Sequence, residues 1–118
     1  MTRHKLKYLL WSVVASLFLS SCMKWDYGDA MEEFNASGAG LFITNEGNFQ
    51  YGNATLSYYD PATQTVQNEI FFRANGMKLG DVAQSMCIHD NKGWVVVNNS
   101  HVIFAIDLNT FKEVGRIE

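Results

Sequence analysis

Gly93–Ile117, GWVVVNNSHVIFAIDLNTFKEVGRI, decides the fold, because the earlier stretch Gly40–Ile70, GLFITNEGNFQYGNATLSYYDPATQTVQNEI, carries the same marks in the same order. Gly40 and Gly93 each precede an apolar run that an asparagine closes five residues later, Asn45 and Asn98. A second run in each copy ends in aspartate, Asp60 and Asp107, followed by threonine at plus three (Thr63, Thr110) and isoleucine at plus ten (Ile70, Ile117). The glycines are offset by 93 − 40 = 53 residues and the aspartates by 107 − 60 = 47, which places six extra residues in the first copy, between Asn45 and Thr55. Each copy reads as a strand, a connection and a hairpin. Repeats of this size built only from strands point to propeller blades.

From Gly40 onward no run has a helical period. Leu41–Thr44 and Ala54–Tyr59 are predicted strands, joined through the Asp60–Thr63 turn to a third strand over Thr65–Phe72, with Val66, Ile70 and Phe72 on one face. Arg73–Asp81 is predicted as a loop. The second unit supplies four strands, 84–89, 94–98, 101–107 and 111–117, which make one full blade. The first unit has three. In many propellers the missing strand comes from the chain's own C-terminus, so a strand beyond residue 118 is expected to pair beside Leu41–Thr44. The fold class expected is all-β, an N-terminal fragment of about two blades of a β-propeller. A self-contained β-sandwich is the alternative.

The N-terminus carries a targeting signal. Arg3, Lys5 and Lys7 precede an apolar core at Leu9–Leu19, too short to span a bilayer core of ~30 Å but suited to a signal peptide. Leu19-Ser20-Ser21-Cys22 then matches a bacterial lipobox: small residues fit the peptidase, and the Cys22 thiol takes the diacylglycerol. Each buried methylene adds ~0.8 kcal/mol of membrane affinity. The expected organisation is a signal peptide at 1–21, an acidic flexible tether at 22–39 and propeller blades at 40–118. Removal of residues 1–21 leaves six basic and twelve acidic residues, a net charge of 6 − 12 = −6. That balance argues against nucleic acid as a partner. Cys87 is then the one cysteine besides the lipid-bearing Cys22, and its apolar neighbours predict a buried small hydrophobe rather than a nucleophile.

An antiparallel meander sends its connections to two ends. One end receives the short turns Asp90–Gly93, Asp60–Thr63 and Asp107–Thr110; the other receives Asn45–Asn53, Asn98–Ser100 and Arg73–Ala83. The second set is richer in groups that bind. The candidate ligand-binding residues are therefore Glu46, Asn48, Phe49, Gln50, Tyr51, Asn75, Lys78 and Asn99. Rings that stack beside carboxamides that read donors and acceptors suit a neutral, amide-bearing or sugar-like ligand. Asn45 and Asn98, matched in both copies, are assigned to turn geometry. No catalytic residue, metal ligand or cofactor is assigned: His89 and His101 lack metal-ligand spacing, and Asp60, Asp81, Asp90 and Asp107 read as solvated turn acids rather than a calcium loop.

At Asn45–Asn48, Ala54–Asp60, Leu79–Met86 and Trp94–Ser100 the sequence resembles the YncE-like β-propeller lipoproteins of Bacteroidetes, a family that includes cobalamin-binding members partnering TonB-dependent transporters. The resemblance implies a seven-bladed propeller, anchorage at the outer-membrane surface through the lipid, and capture of a small molecule, cobalamin foremost, for a TonB-dependent receptor. It assigns no individual ligand contact. Adhesion through a glycan or protein ligand is the alternative reading, and a propeller enzyme with its site outside these residues is the third.

Overall fold

The computed structural model describes residues 2–19 and 31–118. The first part is a helix, α1 (Arg3–Leu19). No helix among the described residues is long and apolar enough to cross a membrane. Cys22 and the rest of 20–30 lie outside the described residues.

Residues 31–118 are all-β in their frame, with two antiparallel sheets and one short helix. The first sheet has the order β1-β2-β3, from Leu41–Asn45, Thr55–Asp60 and Thr65–Gln67; the second has the order β4-β5-β6-β7, from Ala83–His89, Lys92–Val97, Val102–Asp107 and Glu113–Ile117. All neighbours are antiparallel and consecutive. The β4–β5 turn is tighter than expected. His89 pairs with Lys92, and Asp90 and Asn91 both sit in the left-handed region (φ 53° and 58°), the signature of a two-residue turn whose twist matches the strands it joins.

The two aspartate turns share one design. The Asp60 carboxylate accepts from the Ala62 amide at 2.9 Å, and the Asp107 carboxylate accepts from the Asn109 and Thr110 amides at 2.9 and 2.8 Å. At plus four from each aspartate the chain turns left-handed, at Gln64 (φ 55°) and Phe111 (φ 60°). These bonds favour the ionised carboxylate, and the Thr110 and Asn109 amides hold the Asp107 carboxyl below its ordinary value.

The third predicted strand is shorter than expected. β3 ends at Gln67, and Ile70–Asn75 forms a helix, α2. As a strand, this segment would have turned Phe71 away from Ile70. The helix instead buries Ile70, Phe71 and Ala74 on one face, at spacings i, i+1 and i+4, and sets the Phe71 ring 4.8 Å from that of Phe104. Gly76 closes α2 in the left-handed region (φ 69°), its amide bonded to the Phe72 carbonyl at 2.8 Å. The shared isoleucine mark is therefore not a structural match: Ile70 is fully buried in α2, whereas Ile117 is an exposed residue of β7.

The core lies between the sheets. Leu56 and Tyr58 of the first sheet, Ile70 and Phe71 of α2, and Val95, Val97, Phe104 and Ile106 of the second form one buried cluster with Phe111. The Phe111 ring meets those of Phe34 (5.0 Å), Phe42 (5.8 Å) and Tyr58 (5.2 Å). Phe34 belongs to residues 31–39, expected as part of a flexible tether. That part lies along the domain: the Glu32 amide bonds to the Arg73 carbonyl, the Ala36 amide bonds to the Asn109 carbonyl, and Arg73 grips the Glu32 carboxylate with two bonds of 2.8 and 2.7 Å.

Strand register revises the repeat. Tyr59 pairs with Leu41, and its counterpart 47 residues on, Ile106, pairs with Gly93. Leu41 thus corresponds to Gly93, an offset of 93 − 41 = 52 rather than 53, and the first copy holds five extra residues rather than six. A one-residue change exchanges the two faces of a strand, so it decides which surfaces are equivalent. Phe42, Thr44, Leu56 and Tyr58, which face the second sheet, correspond to Trp94, Val96, Ile103 and Ala105, which face outward. Val95, Val97, Phe104 and Ile106, which face the first sheet, correspond to Ile43, Asn45, Ser57 and Tyr59 on its outward side. The two sheets are stacked head to tail.

Both outward faces carry exposed or half-buried apolar side chains among polar ones. Leu41, Ile43 and Val66 are exposed on one, at 63%, 42% and 51%, and Ile117 is exposed at 58% on the other beside half-buried Trp94, Val96 and Ile103. Cys87, expected to be buried, is an exposed free thiol on this second face, opposite Trp94. A sandwich with solvated outer faces alternates apolar and polar residues, and the run Trp94–Val97 does not.

Two expectations follow. Replacing Phe111 by alanine should cost about 3–5 kcal/mol in equilibrium urea unfolding, as for other large aromatic deletions in cores. Because the Asp107 carboxyl titrates lower in the folded state, its contribution is present above the unfolded carboxylate value of about 3.9 and is lost as pH falls through the folded value. The stability difference between wild type and Asp107→Asn should therefore be flat above about pH 5 and shrink below about pH 4, read from urea unfolding across pH.

Candidate functional site

The β1–β2 loop (46–54), the segment between α2 and β4 (76–82) and the turn of 3-10 helix at Asn98–Ser100 meet at one aspartate. Asp81 is 8% exposed. Its Oδ2 accepts the Gln50 amide at 2.8 Å and the Asn99 side-chain amide at 2.5 Å. Its own amide donates to the Ser100 hydroxyl at 2.9 Å, and its carbonyl accepts the Asn99 amide at 3.2 Å. Oδ1 is buried and has no hydrogen-bond partner among the described residues. A carboxylate so placed is a strong acceptor left half satisfied, which is costly in a protein interior.

The local backbone is shaped around this residue. Gly80 (φ 127°) bridges Ala54, whose amide donates to the Gly80 carbonyl at 3.0 Å. A side chain at position 80 would bring its Cβ to 2.6 Å from the Ser100 hydroxyl and 3.1 Å from Val97, so the loops close only over glycine. Val82 follows at φ 63°, a region that costs a β-branched residue of order 1–3 kcal/mol. Its carbonyl is held by the Asn98 amide at 2.9 Å.

Above this knot the 46–53 loop presents its aromatic groups. Phe49 and Tyr51 are 63% and 75% exposed. The loop is braced from within, since the Asn53 side chain accepts the Asn48 amide at 2.8 Å and the Tyr51 amide reaches the Asn48 carbonyl at 3.0 Å. Asn48, Phe49, Gln50, Tyr51 and Asn99 are thus brought together.

The remaining candidates are not part of this cluster. Asn75 is structural: its amide donates to the carbonyls of Phe71 (2.8 Å) and Phe111 (3.0 Å), and its oxygen accepts the Glu113 amide at 2.8 Å, tying α2 to the start of β7. Its bonds are spent on the scaffold, which removes it from the ligand set. Glu46 and Lys78 are exposed and take no part in the hydrogen bonds to Asp81. Asn45 is structural as a tie between strands rather than as the turn residue expected, donating to the Thr55 and Ser57 hydroxyls at 3.0 and 2.9 Å. Asp81 was read from sequence as a solvated turn acid and is instead the buried centre of the site. The signal that could have found it is Gly80-Asp81-Val82, an acid between a glycine and a β-branched residue directly before a strand. Among the described residues no group of His, Cys, Asp and Glu is placed to hold a metal ion.

The model of a domain of unknown function, DUF5074, matches residues 39–118, both sheets and the Asp81 loops together. The chain belongs to the DUF5074 family. No curated protein matches the sequence.

Within this DUF5074 domain Asp81 acts as a latch. Asp81→Ala removes the acceptor for two loop donors, and should expose the chain after Phe49 and Tyr51 to chymotrypsin, with cleavage faster by about tenfold or more in limited proteolysis while β4–β7 persist. Unchanged cleavage would show that the loop is held by other means.

Proposed function

We propose that this protein is a non-enzymatic lipoprotein of the outer-membrane surface, anchored through Cys22, whose β-propeller captures a small molecule for a TonB-dependent receptor, with cobalamin the leading ligand. The observation that carries the binding role is the Asp81 knot, which fixes three loops at one end of the sheets beneath exposed Phe49 and Tyr51. Fixed loops pay little ordering cost on binding. Aromatic faces supply stacking area, Asn48 and Gln50 supply donors and acceptors, and the unpartnered Asp81 Oδ1 favours a ligand rich in N–H or O–H groups. Cobalamin carries peripheral amides of that kind.

The propeller architecture is supported by the head-to-tail relation of the two sheets. Head-to-tail contacts repeat, and where their rotation closes they form rings. The free edge of β1 is where a closing strand would pair, since the first sheet has no counterpart of β4. The lipid anchor rests on the Leu19–Cys22 motif.

A second reading, adhesion to a glycan, is favoured by the same exposed rings, since Phe49 and Tyr51 would stack on a sugar face. Isothermal titration of the protein with cyanocobalamin separates the two. The expected result is binding with Kd below about 1 µM, weakened roughly tenfold by Phe49→Ala or Tyr51→Ala. Absence of heat at that concentration, with hits on a glycan array, would replace cobalamin by a sugar.

A further inference from the structure

We propose that Asp81 Oδ1 is the oxygen that takes a primary-amide N–H of the ligand, and that the β1–β2 loop is the lid that lifts to admit it. The inference rests on the binding role proposed above and names the contact that role needs. Asp81 is more than nine-tenths buried, at 8% exposed, and among the described residues its Oδ1 has no partner. An ionised carboxylate is acceptor-only, so the group that completes it brings an N–H or an O–H. Both donors already on the other oxygen are amide N–H groups, from the Gln50 backbone and the Asn99 side chain. A primary amide of the ligand repeats that contact on the open oxygen.

Because Oδ1 is buried, a ligand meets it only when one of the covering segments moves. The Asn98–Ser100 turn is the firmer cover. The Asn98 and Asn99 amides bond to the carbonyls of Val82 and Asp81 at 2.9 and 3.2 Å, and the Ser100 hydroxyl accepts the Asp81 amide at 2.9 Å. The tip of the β1–β2 loop is the looser one: residues 46–51 are exposed, and they hold Asp81 through the Gln50 amide at 2.8 Å. Segments with little buried surface open at low free-energy cost. The Tyr51 amide closes residues 48–51 into one turn on the Asn48 carbonyl, so the tip moves as a unit. Gly47 (φ 77°) and Gly52 (φ 60°) flank that turn, and small residues so placed absorb the rotation of a lid. Lifting it releases the Gln50 bond to Asp81 and the Asn48 bond to Asn53, and opens the carboxylate to a ligand beside the rings of Phe49 and Tyr51.

Proton–nitrogen NMR of the full chain in detergent solution tests this with acetamide, against N,N-dimethylacetamide, which has no N–H. Acetamide should shift the Gln50 backbone and Asn99 side-chain amide signals saturably, and speed hydrogen exchange of the Gln50 amide about fivefold or more. The dimethyl compound should do neither. Asp81→Asn keeps one oxygen for the two loop donors and sets an NH2 group at the open position. In that variant the acetamide response should fall about tenfold while the Gln50 amide stays protected, with the signals of β4–β7 confirming the fold. Equal responses to the two compounds, no response in the wild type, or an undiminished response in Asp81→Asn would overturn the proposal. Shifts with unchanged Gln50 exchange would overturn the lid. Titration with cyanocobalamin keeps this contact apart from the reading on which it rests. An acetamide response without cobalamin binding upholds the Asp81 contact and removes cobalamin, whereas cobalamin binding unchanged by Asp81→Asn overturns the contact and leaves cobalamin in place.

Discussion

The packing of three aromatic rings around Phe111 is the constraint on which the domain depends. Phe34 comes from the segment before the sheets, Phe42 and Tyr58 from the first sheet, and Phe111 from the β6–β7 turn. Phe111 holds a left-handed backbone that a bulky side chain enters only at a cost, and the Asp107 carboxylate stabilises the turn that puts it there. A local hydrogen-bond device thus places the ring that joins the two sheets. Asn75 completes the joint, spanning from α2 to both the Phe111 carbonyl and the Glu113 amide.

The same economy operates at the opposite end. Asp81 binds the β1–β2 loop and the Asn98–Ser100 turn through one oxygen, while Gly80 permits the close approach and Val82 absorbs the strain. Buried polar groups specify a unique arrangement only when satisfied, and the second oxygen of Asp81 is not. This places the demand for a hydrogen-bond donor beside the exposed rings of Phe49 and Tyr51, the structural basis of the binding role proposed here.

Sheet stacking supplies the third feature. A strand that is apolar on both faces is stable only when covered on both sides. β5 meets that requirement on its Val95 side and leaves Trp94 and Val96 half exposed. The direction of stacking, one face on the opposite face, leaves outward the positions equivalent in register to those already buried, with different side chains on them.

How much of this was legible in the sequence follows from the range of the forces involved. Strand periodicity, the Asp60 and Asp107 turns and the four strands of the second sheet depend on neighbours a few residues apart, and their outline could be read directly. The loops that gather the candidate site were also legible as connections at one end of a meander. The Ile70–Asn75 helix was missed because its apolar residues fit a strand as readily as a helix, and only the pocket between α2 and Phe104 chooses between the two. The register offset of 52 rather than 53 depends on hydrogen bonds between strands, which matched glycines and asparagines do not report. Asp81 and Asn75 exchanged roles for the same reason. The sequence by itself determined an all-β domain with a repeated strand-and-hairpin unit and polar, aromatic loops. Tertiary structure decided which face of each strand is buried and which acid sits at the centre of the site, because burial is a property of what packs on a residue from distant parts of the chain.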